Sequence, residues 1–183
     1  MTAKIDEKKF LKLYDQYVDK IYRYIYFRVG SQELAQDLTS DVFLKSWQYL
    51  NRQESAGRGE TIKNPRAFFY QVARNLIADF YRQKNKMPIS LEEIADKNIA
   101  DKDDSPIEKV LLGFEMDEVR DALSRLKDEY QEVIIWRYLD EMEIREIAEI
   151  LEKPEGTVRV LLSRALASLR EVLVQKVSLS DAR

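Results

Sequence analysis

The chain has 183 residues, a net charge of −3 and 45% hydrophobic residues, which is enough for one or two domains with buried cores. It contains neither cysteine nor histidine, which excludes disulfides, thiolate nucleophiles, histidine bases and zinc sites built on those residues. We therefore expect a protein that is not an enzyme and holds no metal or cofactor, and the lack of an apolar run of membrane-spanning length predicts a cytoplasmic location.

Long stretches with apolar residues at helical spacing, together with only five glycines and four prolines, predict an all-α protein. The first helix is predicted from about Asp6 to Val29, with Gly30 closing it. Ser31 suits the cap of a second helix that extends to about Leu50. Asn51 to Asn64 lacks helical period and predicts a loop, with a length more typical of a functional or mobile connection than of a packed one.

Acidic residues recur every four positions along the second helix, at Glu33, Asp37 and Asp41. This spacing places the carboxylates on one face, where like charges repel and a solvated surface is the common outcome. A docking surface for a basic partner is the alternative, and Trp47 suits either an anchor for that partner or the core. The apolar residues available as an anchor are Phe43, Leu44 and Trp47. A two-metal nuclease would need carboxylates converging from several elements, which one helix face does not provide.

The third helix is predicted to start at the cap Asn64, with Pro65 in the first helical position, and to continue to about Lys84. The stretch from Arg58 to Lys86 holds seven basic and two acidic residues, which predicts a basic surface. Aromatic rings such as Tyr70 lie among its arginines, a mixture that suits unstacked nucleic-acid bases. Most of these rings must also pack the core of so small a helical domain.

Residues 87–106 break the helical pattern with two prolines and a cluster in which six acidic residues accompany two lysines. We interpret this stretch as an acidic linker between two small helical domains. The predicted organisation is a first domain at residues 1–86, the linker at 87–106, a second domain at 107–175 and a tail at 176–183.

Glu143 to Arg170 are predicted to form a helix-turn-helix. Pro154 stops the first helix, and Gly156 tolerates the backbone angles of a sharp reversal. Thr157 is expected to cap the second helix, which carries no acidic residue as far as Arg170. Its backbone N–H groups, hydroxyls and guanidinium groups match DNA phosphates and guanine edges. The alternative is an ordinary helical hairpin with solvated arginines.

Three runs of sequence carry a family resemblance: Ala35 to Trp47 (AQDLTSDVFLKSW), Pro65 to Asp79 (PRAFFYQVARNLIAD) and Gly156 to Arg159 (GTVR). In this order and spacing they resemble the extracytoplasmic-function sigma factors of bacterial RNA polymerase, and the resemblance covers nearly the whole chain. It implies a region 2-like bundle and a region 4-like helix-turn-helix in a factor that recognises and opens promoters. The implied partners are core polymerase, duplex promoter DNA and its non-template single strand, with an anti-sigma factor or a helper protein as a further candidate.

The resemblance also implies roles for individual residues. The second helix is similar to the one that docks on the clamp helices of the largest polymerase subunit, with the candidates Asp37, Leu38, Asp41, Phe43 and Trp47. The third helix and the preceding loop resemble the part that recognises the minus-10 element, with the candidates Arg58, Lys63, Asn64, Arg66, Arg74, Asn75 and Arg82. The loop around Arg58 is the implied pocket for a flipped base. The last helix resembles the minus-35 reader, with the candidates Thr157, Arg159, Ser163 and Arg164.

The sequence departs from the family pattern after Arg159, where a small polar residue and a basic residue are common and this chain has Val160 and Leu161. Two potential contacts to DNA are therefore missing, and each good base contact is worth roughly 1 to 3 kcal/mol. We expect weaker dependence on a minus-35 sequence, or dependence on a helper protein, and replacement by Ser and Arg should raise promoter binding. The acidic linker resembles the segment that threads the RNA exit path.

Two other classes of function remain open at this point. A helix-turn-helix regulator that binds duplex DNA without polymerase explains Gly156 to Arg170, but it gives no role to the second and third helices. A carboxylate-dependent nucleic-acid enzyme would use Asp37, Asp41 or Asp79, although the sequence shows no convergent acidic set.

Overall fold

The computed structural model describes residues 7–55, 62–84 and 116–180, and the chain divides into two compact units, Met1–Lys86 and Met87–Arg183. Unit 1 contains α1 (Glu7–Val29), α2 (Gln32–Ser55) and α3 (Pro65–Lys84). Unit 2 contains α4 (Met116–Ser124), α5 (Asp128–Ile134), a π-helical turn (Ile135–Leu139), α6 (Ile144–Leu151) and α7 (Glu155–Ser180). No strand occurs in these three ranges, so the prediction of an all-α fold is confirmed. The predicted linker at 87–106 and the loop around Arg58 lie outside the described residues.

Local capping sets the end of α1 and the starts of α2 and α3 as the sequence predicts. Gly30 closes α1 with φ of +72°, a left-handed conformation that glycine adopts without a steric penalty. The Oγ atom of Ser31 accepts a hydrogen bond from the Leu34 N–H at 3.3 Å. The Oδ1 atom of Asn64 accepts one from the Ala67 N–H at 3.1 Å. These short-range bonds satisfy N–H groups that a helix start otherwise leaves without partners.

The carboxyl end of α2 differs from the prediction, because the helix continues past Leu50 to Ser55. The extra residues include Arg52 and Gln53, which are good helix formers, and no proline or glycine interrupts the chain before Gly57. The helical spacing of apolar residues stops after Leu50 because the buried face of α2 ends there, although the helix itself continues.

An aromatic cluster of Phe10, Tyr17, Phe43 and Phe69 holds the three helices of unit 1 together. The fully buried ring of Phe69 on α3 has its centroid 5.6 Å from that of Tyr17 on α1 and 5.0 Å from that of Phe43 on α2. Phe10 packs against the edge of the same ring at 6.4 Å. Tilted and edge-on ring pairs of this kind add about 0.5–1.5 kcal/mol each beyond their buried area.

Two buried hydroxyls let α2 pack closely without leaving polar atoms unsatisfied. Thr39 donates to the backbone carbonyl of Ala35, and Ser46 donates to that of Val42, each at 2.6 Å. Such bonds to the preceding turn remove the cost of burying a hydroxyl in an apolar interior.

Unit 2 is built around α7 and the fully buried side chain of Trp136 on the π-helical turn. Two backbone hydrogen bonds close this wider turn. The Asp140 N–H donates to the Ile135 carbonyl at 3.0 Å, and the Met142 N–H donates to the Trp136 carbonyl at 2.9 Å. α7 contributes a buried stripe that faces this core: Val158, Leu162, Ala165, Leu169 and Leu173. These apolar positions form the inner face of α7.

The turn of the helix-turn-helix differs from its predicted geometry. α7 begins at Glu155, so Thr157 lies inside the first turn and does not cap the helix, and Gly156 is helical rather than part of the reversal. Pro154 directly precedes the helix, where its fixed φ suits a helix start. The reversal is made by Glu152, which adopts a left-handed conformation with φ of +55°.

α7 also extends beyond the predicted end of the second domain. It continues to Ser180, so the predicted division between residues 175 and 176 falls inside the helix. No proline or glycine occurs between Arg170 and Ser180 to end it.

None of the helices that the structure describes is both long and apolar enough to cross a membrane.

Replacing Glu152 with glycine is expected to stabilise unit 2 by about 1 kcal/mol, because glycine removes the Cβ penalty of the left-handed conformation. Urea unfolding followed by the fluorescence of buried Trp136, in a Trp47→Phe background, measures the change. Glu152→Ala is the matched control, since it removes the same charge and keeps the strain. An equal rise in the free energy of unfolding of both variants would show that charge, rather than backbone conformation, limits the turn.

Candidate functional site

The acidic face predicted on α2 is on the surface of unit 1. Glu33, Asp37 and Asp41 are all exposed and follow one another at intervals of one helical turn. Leu44, three residues after Asp41, extends this face and is 53% exposed. We refer to Asp37, Asp41 and Leu44 as the α2 strip. It combines two carboxylates with one apolar side chain, a pattern suited to a partner that is basic around an apolar centre.

The other predicted docking residues of α2 lie beneath this strip. Phe43 is only 4% exposed, and its ring packs against Tyr14 at 4.8 Å. Leu38 is also buried. Trp47 is half-buried, with its ring 4.9 Å from that of Phe10. Phe43 and Leu38 expose only 4% and 7% of their surface, so they support α2 from the inside, and Leu44 is the exposed apolar side chain beside Asp41.

A groove with a volume of about 450 Å³ runs between α2 and α3 on another part of unit 1. Its lining residues are Lys45, Gln48, Tyr49, Arg52, Phe68, Val72, Asn75, Leu76 and Asp79. Tyr49 is 42% exposed, and its ring centroid lies 5.4 Å from that of Phe68. Aromatic rings beside the basic residues Lys45 and Arg52 form a surface on which a base can stack while its backbone stays near positive charge.

Of the residues predicted for the minus-10 element, Asn75 is exposed and lines this groove. Lys63 is exposed in the short segment before α3. The side chain of Asn64 is engaged as the cap of α3, which gives it a structural role in this structure. Arg66 and Arg74 are half-buried on α3 and have interactions within the protein.

Arg82, near the end of α3, forms an exposed ion pair with Asp79 at 3.3 Å. Tyr70, one of the rings considered for base stacking, is fully buried against Tyr24 with centroids 5.4 Å apart. It therefore belongs to the core. The loop residue Arg58 lies outside the described residues, and the structure places nothing around it.

The residues of α2 that line the groove were not among the site residues predicted from the sequence. Lys45, Tyr49 and Arg52 recur at intervals of four and three, so a helical projection of α2 would have placed them on one face. The contact between Tyr49 and Phe68 was not visible in the sequence, because it depends on how α2 and α3 are aligned.

In unit 2 the residues predicted for the minus-35 element lie along the exposed side of α7. Thr157, Arg159 and Ser163 are exposed, and Arg164 is half-buried. The Nη2 atom of Arg159 bonds to the carboxylate of Glu155 at 2.9 Å, with both side chains largely in solvent. An exposed pair of this kind contributes at most about 1 kcal/mol, so a phosphate can replace the carboxylate.

The two positions that depart from the family pattern differ from each other. Val160 is 51% exposed, whereas Leu161 is half-buried.

In the part of the chain that the structure describes, no three acidic side chains come together to form a candidate metal site.

Comparison with family models locates two matches along the chain. The model described as Sigma-70 region 2 matches residues 13–87, and the model described as Sigma-70, region 4 matches residues 116–169. The first covers most of α1 and all of α2 and α3 with the strip and the groove, and the second covers α4 to α6 and most of α7. The first match lies in unit 1 except for its last residue, Met87, and the second lies within unit 2.

The chain is also similar to named proteins. It is 34% identical over 165 residues to the ECF RNA polymerase sigma factor BldN of Streptomyces coelicolor, covering 90% of this chain but only 60% of that protein. It is 30% identical to the RNA polymerase sigma factor YlaC of Bacillus subtilis, covering 87% of this chain and 88% of YlaC. The sigma factor RpoE of Bartonella quintana, solved in complex with the anti-sigma factor NepR, shares the fold with a TM-score of 0.65 at 19% identity, over 91% of this chain and 97% of that one.

The burial of Phe43 predicts a structural effect that its exposed neighbour will not share. Phe43→Ala should lower the free energy of unfolding of unit 1 by about 3–5 kcal/mol, the range for truncating a buried phenylalanine. Leu44→Ala, the control, should change it by less than about 0.5 kcal/mol because the side chain is in solvent. Urea unfolding followed by the fluorescence of Trp47, in a Trp136→Phe background, measures both, and a small loss for Phe43→Ala would contradict the assigned packing.

Proposed function

Because this chain belongs to the extracytoplasmic-function family of RNA polymerase sigma factors, we propose that it binds core polymerase, recognises promoter DNA and promotes its opening for transcription initiation. The observation that carries the proposal is the order of the two matched regions, 2 and then 4, each on its own helical unit. The role requires binding and positioning but no bond chemistry by the chain itself. It also implies a location in the cytoplasm, where polymerase meets promoters.

The α2 strip is the proposed docking site for core polymerase. Its carboxylates, Asp37 and Asp41, suit a basic partner, and Leu44 suits an apolar contact at the centre of the interface. Buried Phe43 and Leu38 fix the strip from below, so little conformational freedom is lost when the partner binds.

The groove between α2 and α3 is the proposed contact for the non-template strand at the minus-10 element. Its volume of about 450 Å³ lies within the range of pockets that hold small ligands, and a nucleobase is a ligand of that size. Tyr49 offers an exposed ring, Asn75 offers an amide for a base edge, and Lys45 and Arg52 attract the phosphates. The loop around Arg58 stays a prediction for the pocket of the flipped base, and Lys63 stays a predicted contact to the minus-10 element.

The exposed side of α7 is the proposed reader of the minus-35 element, through Thr157, Arg159, Ser163 and Arg164. The described geometry supports this role because α7 follows the tight turn at Glu152 and bears no acidic residue from Gly156 to Arg170. An anti-sigma factor is included among the proposed partners, since the related fold of RpoE was solved with one.

Run-off transcription with purified core polymerase and a pool of genomic promoters tests the whole proposal. We expect discrete transcripts that require both the chain and the core enzyme. A folded chain that neither associates with core polymerase nor yields transcripts would overturn the proposed function, whereas association with DNA alone would support a regulator that works without polymerase.

Reversing the charges of the α2 strip is expected to weaken the complex with core polymerase. The double variant Asp37→Lys and Asp41→Lys should raise the dissociation constant by at least about tenfold, because like charges across an interface are strongly unfavourable. The double variant Asp15→Lys and Asp19→Lys is the matched control, since it makes the same change of charge at two exposed acids four residues apart on α1 of the same unit. Equal weakening by the control would point to net charge instead of the strip.

Removing the exposed ring of the groove should impair promoter opening more than duplex binding. Tyr49→Ala should weaken binding to a single-stranded minus-10 segment about tenfold, since stacking on an aromatic ring is worth roughly 1–3 kcal/mol per base. Tyr49→Phe keeps the ring and should retain most of the affinity. The measurement is holoenzyme binding to a fluorescent non-template strand, and similar losses in both variants would contradict stacking as the interaction.

A further inference from the structure

Val160 is an apolar side chain placed on the outer side of α7. It is 51% exposed and lies two residues from both Val158 and Leu162, which are buried. Two residues rotate a helix by about 200°, so Val160 lies opposite the stripe that packs on the core. Burial therefore does not account for a valine at this position.

The surroundings of Val160 are polar and belong to the surface proposed to face DNA. One helical turn away in either direction lie Thr157, Ser163 and Arg164. Gly156, also one turn before Val160, has no atom within 4 Å of the place where a Cβ would stand, and its φ is not positive. Glycine in a helix costs about 0.5–1 kcal/mol relative to alanine, and the fold offers no reason for that cost. Its missing side chain leaves the backbone beside Val160 open to close approach.

The chemistry of the major groove restricts what an apolar group on this surface can recognise. Each base pair presents hydrogen-bond donors and acceptors there, and the apolar group among them is the C5-methyl of thymine. A valine in a helix has one strongly preferred rotamer, so its two methyl groups stand in a fixed position. Single exposed apolar residues are common on protein surfaces, and it is the position of Val160 within the DNA-facing set that distinguishes it.

We propose that Val160 is a specificity-determining residue of α7 that selects thymine at one position of the upstream promoter element by contact with its C5-methyl group. The inference rests on the proposed function, because it assumes that α7 enters the major groove. It also revises the expectation that Val160 and Leu161 merely remove contacts. Compared with the polar and basic residues common in the family, half-buried Leu161 loses a polar contact to DNA. Exposed Val160 offers an apolar contact in place of a polar one.

The test uses holoenzyme assembled from the full chain and core polymerase. Binding sites are first selected from duplexes with a randomised upstream segment, and each thymine of the most enriched sequence is then replaced singly by deoxyuridine. This replacement removes only the methyl group and keeps the base pair. Affinity should fall about fourfold at one thymine, the factor expected for exposing one buried methyl group. Val160→Ser should lose this sensitivity.

Val174→Ser is the matched control, since Val174 is a 64% exposed valine on the same helix beyond the DNA-facing segment. This variant should keep the sensitivity to deoxyuridine of the unmodified chain. If deoxyuridine has no effect at any position, or if Val160→Ser retains the effect, the inference is overturned while promoter reading stands. If no upstream sequence is enriched, the proposed reading of DNA by α7 fails, and the inference fails with it.

Discussion

The packing of Phe43 against Phe69 is the interaction on which the surfaces of unit 1 depend. The two rings lie 5.0 Å apart and fix the rotation of α2 about its own axis. With that rotation set, Asp37 and Asp41 lie in solvent, and Tyr49 lies against Phe68 along the groove. One helix therefore contributes to two surfaces, the acidic α2 strip and the basic wall of the groove. A change that rotated α2 would disturb both surfaces together, although neither contains Phe43.

A comparable constraint operates in unit 2, where the short connection between α6 and α7 sets the direction of α7. Glu152 in the left-handed conformation reverses the chain, and Pro154 directly precedes the new helix. The Lys153 N–H bonds back to the Ala148 carbonyl at 3.1 Å, so the reversal has its own backbone hydrogen bond. Since the buried stripe of α7 packs on the core around Trp136, the same turn decides which residues stay outside. Val160 and Arg159 are exposed for that reason.

How much of the fold and of the candidate site could be predicted from the sequence depends on how far apart in the chain the interacting residues lie. The starts of α2 and α3 were predicted correctly because Ser31 and Asn64 act within a few residues of themselves. The assignment of Thr157 as a cap was wrong, because capping chemistry at Thr157 competes with a proline that begins the helix earlier. The groove could not be predicted, since the pairing of Tyr49 with Phe68 requires the relative position of two helices. The burial of Phe43 was missed for a similar reason: its neighbours come from α1 and α3.

Two arginines proposed to meet DNA are held by acidic neighbours on their own helices. Arg82 pairs with Asp79 at 3.3 Å, and Arg159 pairs with Glu155 at 2.9 Å. Each pair is exposed and contributes at most about 1 kcal/mol, so exchanging the carboxylate for a phosphate costs little. Until that exchange, the carboxylate orders the guanidinium along the helix and partly neutralises its long-range attraction for any polyanion. Nonspecific binding to DNA rests mainly on such attraction, whereas base contacts do not. If α3 and α7 contact promoter DNA as proposed, these pairs would therefore favour correctly placed DNA over random DNA. The net charge of −3 also weakens the long-range attraction between the chain and any polyanion.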